Sequence, residues 1–435
     1  MMPSTRRHIV FIVHYFAPIN SSGAKRVDAL SKYFAQDGHD VTVITTRKTG
    51  AQGTFTEPYP AGVKVIELDS LGRLRPSQYG AGDLEPMYTA RPSLMRRIKG
   101  IAMSWFGQVP DPRLPFALNF LAPWLDGEAR AALKRADVII GSSPPWSMLL
   151  AAYLASRRFG KPMLLDYRDH FSECHEMPGS WFSDRLEKVL DRFLSRRAKR
   201  LVTISEPMRS YYAGFNPDTH VVLNGYDPEP MERALQASPW EPGLPGRAIV
   251  SRHMGIVSPG RIPRSMLVAL QQLHQKGYFA GKPEVRFEFY GYADLLSRTL
   301  AESYPELLPM FHFYKPVSYQ ESLGLICAAD HVLFSEVSNA TTLSGQGILT
   351  TKLFEYVGAG RTIIANISPT TLAGQLVRNA GKDHVVTDQV EDFVEYFQSD
   401  VFWSPRESRF SEFGATLSRK HQAGNYFKII DEMLG

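Results

Sequence analysis

Cysteine and long apolar runs are both scarce in this sequence. Its 435 residues include two cysteines, Cys174 and Cys327, and a pair so far apart indicates neither a disulfide framework nor a cysteine metal site. No stretch approaches the roughly 20 apolar residues that a membrane span requires. The apolar run at 9–13 is too short for the core of a signal peptide. These absences predict a protein of the reducing cytoplasm that does not cross a membrane.

A large excess of one charge is missing as well. The chain carries 49 basic and 44 acidic side chains, and its formal net charge of +5 argues against a dedicated nucleic-acid-binding protein. Hydrophobic residues make up 44% and charged residues 21% of the chain, as in globular proteins. A chain of 435 residues is too long for one ordinary core, so we expect two or three domains.

Residues 91–110 are the local exception to this balance of charge. Apolar residues, among them Ile98 and Trp105, recur there at helical spacing. The segment has no acidic residue, and its basic residues are Arg91, Arg96, Arg97 and Lys99. A basic amphipathic helix either packs on its own domain with a solvated basic rim or lies on an anionic membrane surface. The second alternative makes the protein a peripheral one on the inner face of the membrane.

Short apolar runs alternate with segments of helical spacing along most of the chain. Residues 8–13 form an apolar run without alternation, which is typical of a parallel strand buried on both faces. Alternating strands and helices predict an α/β protein. Five prolines between 228 and 245 indicate a linker. We therefore predict an N-terminal domain over 1–227, a linker over 228–247, a second domain over 248–405 and a helical segment over 406–435, whose return to the first domain stays open.

The stretch TTKLFEYVGAGRTIIAN, residues 350–366, holds the strongest local signal for a binding site. Its helical part follows a loop of small residues that ends at Gly347. Such a loop lets backbone N–H groups approach a phosphate at the positive end of the helix dipole. Lys352 and Glu355 suit a ligand with both phosphates and vicinal hydroxyls, a description that fits a nucleotide. The alternative is an ordinary helix on which these two residues form an i,i+3 surface pair.

Two further polar clusters follow predicted strands. The run Asp166-Tyr167-Arg168-Asp169-His170-Phe171 starts where the apolar segment 163–165 ends, and open α/β sheets bind ligands at that edge. A structural ion pair between Arg168 and Asp169 is the alternative. The loop after the first strand contains Ser22 and Gly23 and leads into a helix with Arg26, whose alternative role is that of a solvated helix residue.

These motifs and their order resemble family 4 (group 1) glycosyltransferases of the GT-B fold. The likeness rests on YFAP, Ser22-Gly23 and GHDVTV near the N-terminus, DYRDHF at 166–171, VLNGYD at 222–227 and KLFEY at 352–356. It implies two Rossmann-like domains whose parallel sheets face a central cleft. It also implies a retaining transferase of the hexosyltransferase type that moves a sugar from a nucleotide-sugar donor to a glycan or lipid-linked acceptor in cell-surface polysaccharide biosynthesis. No cofactor and no essential metal are expected.

The resemblance implies roles for single residues on the donor side. Glu355 would hold the ribose hydroxyls, while Arg261, followed closely by Arg264, would neutralise charge on the leaving diphosphate. Gly347 stands where many family members carry a second glutamate, and Glu336 is a candidate to replace it. The nucleotide-sugar-binding residues implied in this way are Ser22, Gly23, Arg261, Arg264, Gly347, Lys352 and Glu355.

On the acceptor side, Asp169 and His170 are the candidates for proton transfer, and Arg261 is the third catalytic candidate through its charge. Arg26 and Arg168 are the implied acceptor-binding residues. Two alternatives stay open at this point. One is a sugar-nucleotide epimerase or hydrolase on the same fold. The other is a scaffold that binds a nucleotide-sugar without turnover, because the second glutamate is missing.

Overall fold

The computed structural model describes residues 5–19, 22–46, 58–68, 126–173, 180–240, 247–336, 347, 349–405 and 412–435. The chain divides into two compact units, Met1–Asn224 with Arg419–Gly435, and Gly225–Ser418. Each unit is built on one parallel β-sheet. The predicted α/β class with two Rossmann-like sheets is therefore confirmed.

The first sheet has seven strands in the order β3-β2-β1-β4-β5-β6-β7, and all neighbours pair in parallel. The strands are β1 His8–Val13, β2 Asp40–Thr46, β3 Val63–Leu68, β4 Val138–Ser143, β5 Met163–Tyr167, β6 Arg200–Thr203 and β7 Thr219–Val221. The helices that connect them among the described residues are α1 Ser22–Gln36, α2 Gly127–Arg135, α3 Ser147–Phe159, α4 Trp181–Ser195 and α5 Glu206–Ala213.

The packing of strand β1 on both of its faces explains why its sequence is apolar without alternation. Ile9, Phe11 and Val13 pack into a core on one face of the sheet, together with side chains of α1. Val10 and Ile12 pack into a second core on the opposite face. Because helices cover both faces, neither set of alternate positions faces water, and the whole strand is apolar.

The second sheet has six strands in the order β10-β9-β8-β11-β12-β13, again with all neighbours parallel. The strands are β8 Ile249–Met254, β9 Val285–Tyr290, β10 Phe311–Tyr314, β11 His331–Ser335, β12 Thr362–Asn366 and β13 Val385–Thr387. The described helices are α6 Pro228–Ala237, α7 Arg264–Gln275, α8 Asp294–Ser303, α9 Tyr319–Cys327, α10 Thr351–Gly358, α11 Leu372–Ala380, α12 Val390–Gln398, α13 Asp400–Trp403 and α14 Glu412–Thr416. Short 3₁₀ helices span Pro259–Arg261 and Pro305–Met310.

The predicted linker over 228–247 begins with a helix, α6, rather than with extended chain. Pro228 and Pro230 lie in its first turn, where backbone N–H groups have no partner within the helix, so proline fits there without loss of a hydrogen bond. Met231 of α6 is buried against Cys327 of α9, with 3.7 Å between the two sulfur atoms. The helix is thus a packed part of the second unit.

The chain ends in helix α15, Arg419–Leu434, which belongs to the first unit. Its Tyr426 packs against Phe34 of α1, with ring centroids 6.0 Å apart, and Met433 joins the same core. Arg200 at the start of β6 donates to the backbone oxygen of Ile429 at 2.7 Å. The last helix therefore covers the sheet that the first helix also covers.

Candidate functional site

The order of the second sheet places a topological switch point between β8 and β11. These two strands are neighbours, yet the chain leaves them toward opposite edges of the sheet. In open parallel sheets, ligands bind outside the carboxyl ends of the strands at such a point. Gly255 follows β8 directly and Glu336 follows β11 directly, so both residues lie at this edge.

Two glycines allow the backbone to pass closely at this edge. Gly255 has a φ of +99°, in the left-handed region, and an added Cβ would lie 3.3 Å from Nζ of Lys352. Gly291, which follows β9, has a φ of +140°, and an added Cβ would lie 2.4 Å from the backbone oxygen of Gly255. A larger residue at Gly291 would displace the backbone of Gly255. A larger residue at Gly255 would strain the backbone there and press on the end of the Lys352 side chain.

Lys352 is oriented by a histidine of the neighbouring strand. Its Nζ lies 3.4 Å from Nε2 of His253, while Nδ1 of His253 lies 3.0 Å from the backbone oxygen of Leu333. A proton on Nδ1 satisfies the carbonyl and leaves Nε2 to accept from the ammonium. Burial, and then the charge of Lys352, lower the pKa of His253 well below its usual value. The imidazole is therefore neutral and acts as a fixed acceptor.

The charges around Lys352 oppose one another. Burial and the nearby guanidinium of Arg261 lower the pKa of Lys352 to about 8, while Glu336 and Glu355 raise it. Arg261 itself is held by Glu336, with 2.6 Å between Nε and Oε1, and that carboxylate is almost fully buried. Two cations and two carboxylates thus share one small region, and a bound anion would stabilise the protonated form of Lys352.

Helix α10 presents its N-terminus to the same region. The hydroxyl of Tyr356 accepts from the backbone N–H of Met254 at 2.9 Å, which fixes the helix to the end of β8. Thr350 precedes the helix without a side-chain capping bond, and its buried Oγ1 has no partner among the residues that the structure describes. The N–H groups of the first turn and the helix dipole therefore suit an anionic ligand.

The structure brings together three of the seven predicted donor-site residues. Arg261, Lys352 and Glu355 interact electrostatically at the switch point, and Gly347 is buried shortly before α10. Arg264 is exposed at the first residue of α7. The rest of the predicted small-residue loop, 344–346, lies outside the described residues. The sequence analysis did not identify His253; a histidine inside a buried strand was the available signal.

In the first unit, the corresponding edge of the sheet is formed around a buried ion pair. Asp166 at the end of β5 accepts from Nη2 of Arg26 at 2.9 Å and from the hydroxyl of Ser142 at 2.8 Å. Arg26 also donates to the backbone oxygen of Leu223 at 3.0 Å. These contacts link α1 to the ends of three strands, so Arg26 has a structural role and is not solvated. Its predicted contact with an acceptor stays a prediction.

Arg168 is likewise buried, and it supports the surrounding loops. Its guanidinium donates to the backbone oxygens of Ser143 at 3.0 Å, Pro144 at 2.6 Å and Gly23. An added Cβ at Gly23 would lie 2.9 Å from Nη1 of Arg168, so this close approach requires glycine. Burial lowers the pKa of Arg168, and the charges of Asp169 and Asp166 oppose that change. The side chain of Ser22 lies outside the described part of the chain.

The two candidates for proton transfer differ sharply in exposure. Asp169 is exposed, whereas His170 is buried against Tyr211 and Tyr212, with ring centroids 5.1 and 5.7 Å away. Phe171 stacks on Trp146 at 5.2 Å. Asp169 therefore presents its carboxylate at the edge of the first sheet, while the residues after it anchor the loop.

The buried carboxylate of Asp191, which the sequence did not indicate, fixes this loop by hydrogen bonds. Oδ2 of Asp191 in α4 accepts from the backbone N–H of Ser172 at 3.2 Å, from its hydroxyl at 2.8 Å and from the hydroxyl of Tyr212 at 3.3 Å. Tyr212 also accepts from the backbone N–H of Phe171 at 3.1 Å. Burial raises the pKa of Asp191 to about 6, although the hydrogen bonds of Ser172 and Tyr167 oppose the rise.

Asp191→Asn is expected to remove one component of the pH dependence of stability. The pKa of Asp191 is about 6 in the folded state and 3.8 when unperturbed. Between these pH values the folded chain therefore binds more protons than the unfolded chain. Wild-type stability should therefore fall, relative to the variant, as the pH rises from about 4 to about 7, by roughly 2–3 kcal/mol. Urea unfolding of both proteins at several pH values measures the difference. A constant difference across this range would show that Asp191 titrates normally.

Residues 91–110 lie outside the described residues, so both alternatives for this basic segment stay predictions. Within the ranges that the structure describes, no helix has the length and apolar character needed to cross a membrane.

Comparisons with known proteins identify the fold and the N-terminal domain. Residues 23–226 match the glycosyl transferase 4-like domain. No curated protein matches the sequence. The structure of sucrose-phosphate synthase from Thermosynechococcus elongatus is similar at 14% identity and a TM-score of 0.61, over 98% of this chain and 99% of that chain.

Two further solved structures contain nucleotides. HepE from Anabaena, in complex with UDP, is 13% identical with a TM-score of 0.52, over 97% of this chain and 96% of that chain. The catalytic domain of starch synthase IV from Arabidopsis thaliana, bound to ADP and acarbose, is 10% identical with a TM-score of 0.54, over 99% and 100% of the two chains. At these identities the structures show the fold alone. Residues 23–226 therefore match a glycosyl transferase 4-like domain, and the chain has the two-sheet GT-B fold of these structures.

Proposed function

We propose that the enzyme moves a hexosyl group from a nucleotide-sugar to a glycan or lipid-linked acceptor, with retention of anomeric configuration, in cytoplasmic steps of cell-surface polysaccharide biosynthesis. The observation that carries the proposal is the cluster of Lys352, Arg261 and Glu355 at the switch point of the second sheet. Two cations beside a helix N-terminus suit a diphosphate, and the carboxylate suits vicinal hydroxyls. The UDP and ADP complexes of two proteins with this fold support a nucleoside diphosphate as the ligand.

The donor-side chemistry follows from fixed positive charge. As the bond between the sugar and the diphosphate breaks, negative charge grows on the leaving phosphate oxygen. Lys352, held by His253, and Arg261, held by Glu336, are oriented before the ligand arrives. Oriented cations stabilise such charge without reorganisation, and that effect is large where water is excluded. In this account Glu336 orients Arg261, so it does not replace the second glutamate of other family members.

On the acceptor side, we propose that Asp169 takes up a proton, a role that its exposure supports. The acceptor hydroxyl forms a bond to the anomeric carbon on the same face from which the nucleoside diphosphate leaves with the electron pair of the broken bond, so the configuration is retained. The proton of that hydroxyl passes to the Asp169 carboxylate. His170 is buried and positions the loop that carries Asp169. Arg26 and Arg168 support the same edge from inside the unit. We further propose that the cationic cluster makes an added metal ion unnecessary.

The proposed function is tested by incubating the protein with radiolabelled nucleotide-sugars and with membrane lipid and glycan fractions, with and without a chelator. Transfer of label that persists in the chelator, with an anomeric coupling constant in the product that matches the donor, supports the proposal. Release of free sugar alone, or epimerised donor, would instead support the hydrolase or epimerase alternative. Nucleotide binding without any turnover would support the scaffold.

Glu355→Ala is expected to weaken binding of nucleoside diphosphates by one to two orders of magnitude. Hydrogen bonds to a charged group contribute about 1.5–3 kcal/mol, and the proposed partners are the two ribose hydroxyls. Calorimetry with a ribonucleotide and its 2′-deoxy analogue measures the effect, because the variant should lose discrimination between them. Glu395→Ala, at an exposed position of α12, is the matched control. Equal affinities for wild type and Glu355→Ala would return Glu355 to a surface role.

A further inference from the structure

Helix α4 of the first unit is packed with its polar side inward. Four of its five buried positions recur every four residues, and they are Ser183, Glu187, Asp191 and Ser195; the fifth is Leu194. Several large apolar residues in the first half of the same helix point to solvent: Trp181 is 73%, Phe182 63% and Val189 63% exposed. An amphipathic helix of a globular protein normally buries its apolar stripe. The network of Asp191 explains why this polar row faces inward. Leu190, Phe193 and Leu194 in the second half of the helix pack in or against the core, whereas the apolar residues of the first half stay exposed.

The exposed apolar residues form one face. Phe182, Leu186 and Val189 are spaced four and three residues apart, so they lie side by side on the helix surface. Exposed contiguous apolar surface of this kind marks an interaction site, whereas single exposed apolar residues do not.

The charges on and beyond this face have one sign. Residues 180–199 are all described by the structure, and their exposed charged side chains are all basic: Arg185, Lys188, Arg192, Arg196, Arg197 and Lys199. Lys188 contacts Glu173 at 3.0 Å, and Arg197 lies over the ring of Phe193 at 3.7 Å. Arg185, Arg192 and Arg196 are spaced seven and four residues apart, so they run along the same side as Val189.

We propose that the exposed face of α4 binds an anionic lipid membrane. Exposed tryptophan and phenylalanine suit the headgroup boundary, and adjacent cations are attracted to anionic headgroups. A surface whose exposed charges are all positive fits an anionic bilayer better than a protein surface of mixed charge. The face lies in the first unit, whereas the Lys352 cluster belongs to the second unit. Substitutions on the face should therefore change membrane binding without changing nucleotide binding.

Sedimentation with phosphatidylserine-containing vesicles tests the surface directly. Arg185→Glu with Arg196→Glu should lower the partition coefficient at least about 25-fold, because each cation contributes about fivefold. Phe182→Ser with Val189→Ser should lower it at least about tenfold. The control pair, Arg298→Glu with Val401→Ser, changes one exposed cation and one exposed apolar residue of the second unit and should bind like wild type. Calorimetry with a nucleoside diphosphate should give the same affinity for all of them.

Tryptophan quenching by brominated lipids locates the contact. Trp181→Phe keeps the apolar side chain, so it should still sediment with vesicles while most of the quenching is lost. Trp105→Phe, in the basic segment 91–110, should retain the quenching. Both results together support α4 as the membrane contact.

Four outcomes would overturn the proposal. Wild-type protein could stay in the supernatant with anionic vesicles at low salt, or could bind neutral and anionic vesicles equally. Quenching could be lost in Trp105→Phe and retained in Trp181→Phe, which would assign the contact to residues 91–110. Analytical ultracentrifugation could show a dimer that Phe182→Ser with Val189→Ser dissociates, and a second copy would then cover the face.

Discussion

Asp169→Asn is expected to lower the rate of sugar transfer by about 10²- to 10⁴-fold, the range typical of lost general acid–base participation. Asp169 is the exposed carboxylate at the edge of the first sheet, and the residues around it in the sequence are buried. The amide has nearly the same shape but cannot take up the proton of an acceptor hydroxyl. Steady-state kinetics at saturating donor measure the loss, and nucleotide affinity should stay unchanged because the donor cluster lies in the other unit.

His170→Phe is the matched control for this prediction. The phenyl ring preserves packing against Tyr211 and Tyr212 but removes both ring nitrogens. A positioning role predicts a much smaller loss of rate than in Asp169→Asn. If Asp169→Asn transfers sugar at the wild-type rate in a folded protein, the carboxylate is not the acceptor-side base. If His170→Phe alone loses transfer, the histidine has that role.

Lys352→Met is expected to lower the rate of transfer by about 10²- to 10³-fold, as removal of one fixed stabiliser of developing charge typically does. Methionine keeps the length of the side chain without its charge. The variant should bind nucleoside diphosphates more weakly than wild type does. Its affinity for nucleosides should equal that of wild type. The pKa of Lys352 is about 8, so wild-type affinity for a diphosphate should fall as the pH rises above that value, because the ammonium loses its proton.

The same titration provides the control. Between pH 7 and 9, Lys352→Met should lose affinity for the diphosphate only as far as other titrating groups cause a loss. Lys282→Met, at an exposed position of the second unit, should behave like wild type. An unchanged diphosphate affinity in Lys352→Met, with the pH dependence retained, would remove Lys352 from the donor site.

The sequence predicted the architecture because each central strand is buried on both faces. The apolar run of β1 is uninterrupted because its side chains pack into two cores, one on each face of the sheet. Neighbouring strands show the same pattern. Helix α6 was missed because its prolines occupy the first turn, where they are compatible with a helix but look like a linker. The orientation of α4 could not be predicted, because its polar side is buried by a network with Ser172 and Tyr212 that only the folded chain assembles.

The candidate donor cluster was predictable where its residues are close in sequence. Lys352 and Glu355 lie three positions apart on one helix, so local spacing was enough to propose a nucleotide. The contacts that orient the cations join distant residues: His253 and Lys352 are 99 positions apart, and Arg261 and Glu336 are 75. Such pairs depend on strand order, since β8 and β11 become neighbours only in the sheet. The same limit explains why the sequence did not indicate the buried partners of Arg26 and Arg168, whose contact with an acceptor stays a prediction.

The central claim is that the second unit binds a nucleoside diphosphate at the Lys352 cluster, and thermal unfolding with a ligand series tests it most directly. The protein is heated with UDP, GDP, ADP or TDP, each compared with its monophosphate and nucleoside. A ligand at about 100 times its dissociation constant adds roughly 2.7 kcal/mol to the state that binds it. We predict a clear rise in melting temperature with at least one diphosphate, a smaller rise with its monophosphate, and a smaller rise with that diphosphate in Lys352→Met than in wild type. No stabilisation by any of the four diphosphates would contradict the account.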